Sequence, residues 1–440
     1  MIATALIAPL AISIALAPSA LGAQSGEDLS GDVVIDDTAS RPRVRVAVPP
    51  ATFGSLAGDF RAAGEDTEQT LRDDLELSGV FAVQGPDELS VLDLSGDLES
   101  DFEQFRSLAN EVVVYVDLKQ QADHLVLEGR AYDLPSGQSV FGKRYRGQLA
   151  QARRIAHTFS DDLVEMFTGS PGIALTQIAF HSDRDGFQEL YLMDYDGRNQ
   201  RRITGHKSTS GYADWSGTSD AIAYVSYFNV TPTIYYVDMT SGDKVEIFGQ
   251  GVLNLSPSFS ADGTTVVFSH SDNTNVDIYT CPRKCREPHR LTRARGIDTN
   301  PSWSPDGQQI AFTSDRSGRP NIYVMNRDGA QAHRISFDGN YNDGATWHPS
   351  GTQLAYASRR HGRFEIVVTD LVSLKTRVLA SGSESYEEPS YSPDGRRLAF
   401  SAKGGGRSQI FVMNADGTGI MQLTHEGKNA GPDWSPRPPG

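Results

Sequence analysis

One pattern of apolar and polar positions recurs through the second half of the chain. An aromatic residue is followed by a polar turn and a short apolar run, as in "PSWSPDGQQIAF" at Pro301 and "ATWHPSGTQLAY" at Ala345. A second alternating run, such as "PNIYVMN", and a third short run follow each of these. The pattern predicts four short strands joined by turns in each repeat. The aromatic residues recur at intervals of 43 or 44 residues: Trp215, Phe259, Trp303, Trp347, Tyr391 and Trp434.

Four short strands in about 44 residues are typical of one blade of a β-propeller. The first copy begins directly with "QIAF" at Gln177 and lacks its own aromatic strand, whereas the chain ends with an orphan "PDWSP" at Pro432. Placing Trp434 beside Ile178 completes six blades and closes the ring, which removes exposed strand edges. The pattern therefore predicts an all-β six-bladed propeller over residues 173–440.

Residues 40–168 follow a different pattern. Helical periodicity in "EDTEQTLRDDLELSG" and "AQARRIAHTFSDDLVEMFTG" alternates with apolar runs such as "RVRVAVPP", "EVVVYVDLKQ" and "HLVLEGRAYDL". Gly79 and Gly169 stand where the first and last helices would end. We expect a small α/β domain with a mixed sheet over these residues.

The first residues of the chain are apolar and uncharged. Residues 1–23 have the apolar core and small residues of a secretory signal peptide, with cleavage expected after Ala23. No Lys or Arg follows Met1, and a retained membrane anchor is the alternative, although Pro9 and Pro18 interrupt a run that is short for a span. Residues 24–39 are acidic and polar around "VVI", and we predict a mobile partner-binding segment there.

Composition narrows the classes of function. A net charge of −16 repels phosphate backbones and disfavours nucleic acid as a partner. The two cysteines, Cys281 and Cys285, predict a local disulfide if the chain is exported, because zinc would need ligands that the neighbourhood does not supply. The sequence has no G-x-S-x-G, H-E-x-x-H, P-loop or dinucleotide fingerprint, so we predict neither an enzyme nor a cofactor.

The residues just before each aromatic differ from copy to copy, as in "VLNLSPSF", "IDTNPSW", "YNDGATW" and "SYEEPSY". Variation on a repeated frame is typical of a binding rim. Solvation of ordinary loops is the alternative, and a cation held at the mouth is another. The polar and acidic residues that would surround one opening are Asp298, Asn300, Asn342, Asp343, Glu387 and Glu388.

The stretches "AHTFSDDLVEMFTGSPGIALTQIAF", "SPDGQQIAFTSDRSGRPNIYVMN" and the terminal "PDWSP" resemble the TolB family of the Tol-Pal system, and the resemblance covers the whole mature chain. It implies a non-enzymatic periplasmic protein that supports outer-membrane constriction at division and envelope integrity. Such proteins bind the peptidoglycan-associated lipoprotein Pal through one propeller face and TolA through the mobile N-terminal segment. Pal binding and the ordering of that segment are coupled in the family.

The resemblance also implies site residues. The Pal rim would comprise the positions Leu253, Asn254, Ser256, Asp298, Thr299 and Asn300, beside Asn342, Asp343, Glu387 and Glu388. The TolA segment would comprise Val33, Val34, Ile35, Asp36, Asp37 and Thr38. Other outer-membrane or peptidoglycan-associated proteins are further candidate partners, and we expect a monomer. Leu253 is apolar where the family's pattern favours a polar residue. The rival functions are an exported propeller enzyme, such as a peptidase or lyase, and a glycan-binding module.

Overall fold

The computed structural model describes residues 43–438 except residues 55, 57, 96 and 97. The predicted signal peptide, the predicted mobile segment and its TolA-binding residues 33–38 lie outside the described residues. The described residues belong to one compact unit. Among the described residues, no helix is long and apolar enough to cross a membrane.

An α/β domain precedes the propeller, as expected. Its sheet has the order β3-β1-β4-β5-β6, with β1 parallel to β3 and β4 and the remaining pairs of this path antiparallel, so the predicted mixed sheet is confirmed. The short β2 pairs with β4. Its strands are β1 Val44–Ala47, β2 Thr52–Phe53, β3 Phe81–Gln84, β4 Val112–Gln121, β5 His124–Asp133 and β6 Gln138–Gln148. Its helices are α1 Asp59–Leu77, α2 Pro86–Leu89, α3 Leu98–Ser107 and α4 Ala152–Thr168, with a 3-10 turn over Leu149–Gln151.

The helices α1 and α4 cover one face of this sheet. Leu71 and Leu75 of α1 and Phe159 of α4 are fully buried against the strands. Gly129 of β5 makes this close packing possible, because a Cβ there would lie 2.0 Å from a ring carbon of Phe159. α4 ends at Gly169, which has a φ of 72°.

Six four-stranded antiparallel sheets follow, which confirms the predicted propeller. Blade 1 contains β10 Ser210–Trp215, β11 Ala221–Ser226, β12 Thr233–Asp238 and β13 Lys244–Phe248. Blade 2 contains β14 Leu253–Phe259, β15 Thr265–Ser271, β16 Asp277–Pro282 and β17 His289–Arg290. Blade 3 contains β18 Asp298–Trp303, β19 Gln309–Ser314, β20 Asn321–Asn326 and β21 His333–Arg334. Blade 4 contains β22 Asn342–Trp347, β23 Gln353–Arg360, β24 Arg363–Asp370 and β25 Thr376–Ala380. Blade 5 contains β26 Ser385–Tyr391, β27 Arg397–Gly404, β28 Arg407–Asn414 and β29 Met421–Gln422. Blade 6 joins β30 Asn429–Trp434 to β7 Gln177–Ser182, β8 Glu189–Asp194 and β9 Arg201–Arg202.

Blade 6 closes the ring as the sequence predicts. Trp434 of the last strand lies opposite Ile178 of the first propeller strand. Hydrogen bonds between inner strands extend the closure to both neighbours. The backbone N–H of Trp434 donates to Ser390 Oγ of blade 5 at 2.9 Å, and Asp433 Oδ2 accepts the N–H of Trp215 in blade 1 at 2.6 Å.

The cysteine hairpin differs from the expectation. Cys281 and Cys285 are both free thiols in this structure, so the predicted disulfide is not formed here and remains a prediction. Burial, together with the hydrogen bond and charge of Cys285, raises the pKa of the Cys281 thiol. The thiolate, which is the form that reacts to make a disulfide, is therefore disfavoured at Cys281.

Closure should decide the stability of the whole propeller. A truncation after Lys428 removes β30 and leaves the edge of β7 unpaired, so we expect a large fall in the melting temperature and a loss of cooperativity. Differential scanning calorimetry measures both. A truncation after Pro438 is the control, since it retains β30, and a Lys428 truncation that melted like the full chain would contradict the closure.

Candidate functional site

The propeller has one free face and one face that meets the α/β domain. Each inner strand begins at the face that we call the rim face, and the turns between the third and fourth strands lie at the opposite face. Arg198, in such a turn of blade 6, donates to Asp66 at 3.1 Å and to Asp73 at 3.4 Å, both on α1. The rim face is therefore the one turned away from the α/β domain.

Every inner strand carries a β-bulge at the same depth, where its pairing register shifts. One residue in each bulge has a left-handed backbone conformation. A non-glycine residue in that conformation is typically strained by about 1–3 kcal/mol, and such strain often accompanies function. All six of these residues line the central cavity: Tyr212, Ser256, Asn300, Gly344, Glu388 and Gly431. The bulges thus form a ring of left-handed positions around the tunnel mouth, four of which are non-glycine residues under strain.

The cavity behind this ring encloses about 460 Å³ and opens at the rim face. Its lining is acidic, and among the described residues no lysine or arginine contributes to it. A ligand or partner group that entered the mouth would therefore meet a negative potential. The carboxylates that line it are Asp214, Asp343, Glu387, Glu388 and Asp433.

The acidic groups do not share one protonation behaviour. Burial raises the pKa of Asp433 to about 7, and burial followed by the charge of Asp433 raises that of Asp214. Burial would also raise the pKa of Glu388, but the charge of Lys403 and other contacts outweigh it and the pKa is lowered. The mouth therefore keeps Glu388 ionised near neutral pH, while the Asp214–Asp433 pair resists full ionisation.

A hydrogen-bonded chain fixes one side of the mouth. Ser256 Oγ donates to Asn300 Oδ1 at 2.5 Å, and Asn300 Nδ2 donates to Asp343 Oδ1 at 2.7 Å. On the other side, Lys403 Nζ lies 3.0 Å from Glu387 and 3.3 Å from Glu388. The first chain crosses the boundaries between blades 2, 3 and 4, whereas the Lys403 pairs lie within blade 5, so contacts between and within blades hold the mouth in place.

Seven of the ten predicted rim residues are accessible at the surface or in the cavity, and three are buried. Leu253, Ser256 and Thr299 are partly exposed, and Asn300, Asp343, Glu387 and Glu388 line the cavity. The other three are fully buried, which corrects the expectation that they face a partner. Their side chains brace the rim loops instead. Asn254 donates to Pro232 O at 2.9 Å, Asp298 accepts from Arg316 at 2.9 Å, and Asn342 donates to Asp338 O at 2.9 Å.

Sequence reasoning missed Tyr212. This residue occupies the ring position of blade 1, has a φ of 56° and is 48% exposed. The signal was present in the aligned copies, because the aromatic side chain in "TSGYADW" stands where the other copies have Ser, Asn, Gly or Glu. The Asp, Glu, His and Cys side chains of the described residues form no group arranged to hold a metal ion.

Comparison with known proteins agrees with this architecture. Residues 32–140 match the family model of the TolB amino-terminal domain, and residues 164–438 match the model of the TolB beta propeller domain. The chain belongs to the TolB family. A solved TolB from Acinetobacter baumannii superposes with a TM-score of 0.77 at 26% identity, covering 90% of this chain and 97% of that one.

Curated relatives carry the same family name. The Tol-Pal system protein TolB of Desulfosudis oleivorans is 31% identical over 264 residues, or 58% of each chain. The TolB homolog of Chlorobium chlorochromatii is 28% identical over 254 residues, covering 58% of this chain and 57% of the relative. The matched region thus spans less than two thirds of these relatives' length. The printed name of the D. oleivorans relative assigns that protein to the Tol-Pal system.

The junction between the two TolB domains contains a buried polar network. Asp74 of α1 contacts His157 Nδ1 of α4 at 2.8 Å and accepts from the Tyr195 hydroxyl of blade 6 at 2.8 Å. All three side chains are buried, and His157 Nε2 has no partner. Beside them, Arg153 of α4 pairs with Asp196 of blade 6 at 2.6 Å. The contact between the α/β domain and the propeller therefore includes polar groups that are shielded from water.

Protonation should control this junction. Burial acts to lower the pKa of His157, but the hydrogen bond and charge of Asp74 outweigh burial, and the pKa of His157 is raised. The pKa of Asp74 is also raised, in this case by burial itself. A raised histidine pKa means that the folded state binds the proton more tightly than the unfolded state. The stabilisation is complete below the unfolded value of 6.5 and is lost as pH rises through the folded value.

We expect His157→Gln to lower the free energy of unfolding by about 1–3 kcal/mol, because it leaves buried polar groups without partners. The loss should be largest at pH 5.5 and smaller at pH 8.5, as measured by urea unfolding. His333→Gln, at an exposed histidine of the propeller, is the control. A His157→Gln effect that was independent of pH would show that this histidine stays neutral in the fold.

Proposed function

We propose that this chain is a non-enzymatic periplasmic component of the Tol-Pal system that binds Pal through its rim face and TolA through residues 33–38. In this role it supports outer-membrane constriction during division and envelope integrity. The observation that carries the proposal is the ring of left-handed residues around the tunnel mouth, of which Tyr212, Ser256, Asn300 and Glu388 are strained and at least partly exposed. It stands on the one propeller face that the α/β domain leaves free.

The shape of the rim favours a macromolecular partner. Thr299 and Leu253 stand on the surface beside the mouth, and Asn300 is fixed between Ser256 and Asp343 by hydrogen bonds. A rigid surface loses little conformational freedom on binding, which favours recognition of another folded protein. The A. baumannii TolB supports the same arrangement of domains and blades.

The TolA part rests on the family model. The match to the TolB amino-terminal domain begins at residue 32, so it includes Val33 to Thr38. A short apolar run between acidic residues suits a segment that orders on binding and adds a strand to a partner's sheet. The ordering cost then belongs to the binding equilibrium, which allows a second partner to influence it.

Coupling between the two partners would require a link across the domain junction. The Asp74–His157–Tyr195 network and the Arg153–Asp196 pair join α1 and α4 to blade 6. If Pal favours one arrangement of this junction, the arrangement in turn biases the segment that precedes β1. By linkage, TolA must then alter Pal affinity by the same factor.

The rival functions make different demands on the mouth. A peptidase or lyase would need acid and base groups converging on a bound substrate. Asn300, Asp343 and Lys403 instead bond to other side chains of the propeller. A glycan-binding module would bind peptidoglycan fragments without Pal. Assays for turnover of peptides and glycans separate the enzyme from the scaffold.

Removing two side chains should weaken Pal binding. We expect Thr299→Ala combined with Asn300→Gly to lower the affinity for purified Pal at least about 10-fold, because both rim contacts are lost while glycine keeps the left-handed backbone without strain. Isothermal titration calorimetry measures the affinity. Thr352→Ala, at an exposed turn of the opposite face, is the matched control, and equal affinities for both variants would contradict a rim site.

Deleting residues 24–40 should abolish TolA binding and preserve Pal binding, since the two sites lie on different parts of the chain. Pull-down with purified TolA and calorimetry with Pal measure the two separately. Deleting residues 24–31 alone is the control, because it retains Val33 to Thr38. Loss of both partners on the longer deletion would contradict the two-site arrangement.

A further inference from the structure

A stack of four aromatic rings lies where the chain enters blade 1, and a comparable four-ring cluster, whose rings are buried or half-buried, surrounds His270 at the boundary with blade 2. The His206 ring lies between the others, with centroid distances of 5.9 Å to Tyr224, 5.8 Å to Tyr235 and 5.4 Å to Phe228. Tyr224 and Tyr235 stack on each other at 5.7 Å. His206 Nε2 bonds the Tyr224 hydroxyl at 2.8 Å, and burial lowers the pKa of His206, so the stack is neutral and fixed.

The stack ends in a loop at the rim face, between β11 and β12. Phe228 is the outermost ring and is 59% exposed, and Val230 beside it is 88% exposed. The loop is held in place, because the N–H of Val230 donates to Tyr227 O at 3.1 Å and Asn229 Nδ2 donates to the Tyr235 hydroxyl at 2.7 Å. Val230 has a φ of 72°, which is strained for a β-branched residue.

The apolar surface continues from this loop to the tunnel mouth. Tyr227 follows Ser226, which pairs with Ser210 of the inner strand, and Tyr212 lies two residues further along that strand. Burial of its hydroxyl end, and then the charges of Tyr227, Glu388 and Asp343, raise the pKa of Tyr212. Its ring is thus half exposed while its hydroxyl reaches into the acidic mouth.

The corresponding loops elsewhere lack this character. Those of blades 2 to 5 read "DNTNV", "DRSGRP", "HG" and "GG", in which the single large apolar residue, Val276, is half-buried, and the neighbouring blade 6 adds one exposed ring, Phe187. Large apolar side chains held rigidly in water, next to one another, mark sites of protein association. Phe228 contacts His206 on one side only, and Val230 is almost fully exposed, so both leave apolar surface in water.

We propose that Tyr227, Phe228 and Val230, which we call the blade 1 knob, form with Tyr212 a hydrophobic anchor for the folded protein that binds the rim face. The partner offers an apolar patch flanked by a lysine or arginine. This inference rests on the proposed function and goes beyond it, since the predicted rim residues of blades 2 to 5 do not include the knob.

Charge complementarity identifies the flanking group. The mouth beside Tyr212 is lined by five carboxylates. Lys403 pairs with Glu387 and Glu388, whereas Asp343, Asp214 and Asp433 have no cationic partner among the described residues. A cation from the partner would meet both this potential and the face of the Tyr212 ring, to which cations are attracted.

The test compares knob variants with matched variants of the opposite face. Purified mature chain from Gln24 is titrated with Pal by calorimetry. We expect Phe228→Ala and Val230→Asn each to weaken binding about 10-fold, while Asn tolerates the left-handed backbone at 230. The controls are Ile420→Ala and Val372→Asn, at turns of the opposite face, where Val372 is 89% exposed; both should bind like the wild type.

The outcomes separate the anchor from the function. If the wild-type chain does not bind Pal, the proposed function is overturned and the anchor falls with it. If the wild type binds and both knob variants bind equally well, the anchor alone is wrong. Soluble peptidoglycan fragments provide a third arm: binding of fragments that Phe228→Ala abolishes, with Pal affinity unchanged, would assign the knob to a glycan and overturn the proposal. Thermal melting of each variant verifies that it is folded.

Discussion

Closure of the propeller through β30 is the constraint on which the rest of the structure depends. The last strand supplies the inner position of blade 6. Its Trp434 N–H donates to Ser390 of blade 5, and its Asp433 carboxylate accepts from the N–H of Trp215 in blade 1. Asp214 accepts the N–H of Phe259 in the same manner between blades 1 and 2. Each bond joins an inner strand to the next blade, so a closed ring satisfies groups that an open sheet would leave at an edge.

A closed ring can hold strained residues that a single sheet could not. Tyr212, Asn300 and Glu388 keep left-handed conformations because the strands on both sides of each bulge are paired and the neighbouring blades prevent relaxation. The strain is therefore distributed over a rigid frame. Its consequence is a tunnel mouth whose side chains are fixed before any partner arrives, which lowers the entropic cost of association.

The sequence predicted the features that depend on repetition. Spacing of the aromatic residues gave the blades, and the half-copies at the two ends gave the pairing of Trp434 with Ile178. The sequence alone could not distinguish Asn254, which is buried and braces a loop, from Asn300, which lines the cavity. Both are polar residues in the variable segment before the aromatic residue of their repeats. The bulges were equally hidden, since Tyr, Ser, Asn and Glu carry no common signal for positive φ. Only the tertiary register distinguishes these positions.

The strand that closes the ring also connects the two candidate regions. β30 begins at the tunnel mouth, where the N–H of Gly431 donates to Glu388 at 2.8 Å, and ends at Trp434, whose indole donates to Thr176 Oγ1 at 2.8 Å. Thr176 follows the segment that Asp161 of α4 holds through the N–H of Ala174 at 2.7 Å. One strand of six residues thus runs from the rim to the edge of the α/β domain. β30 is paired with β7 on both sides of its bulge, so this strand offers a continuous path from the mouth of blade 6 to the segment that α4 holds.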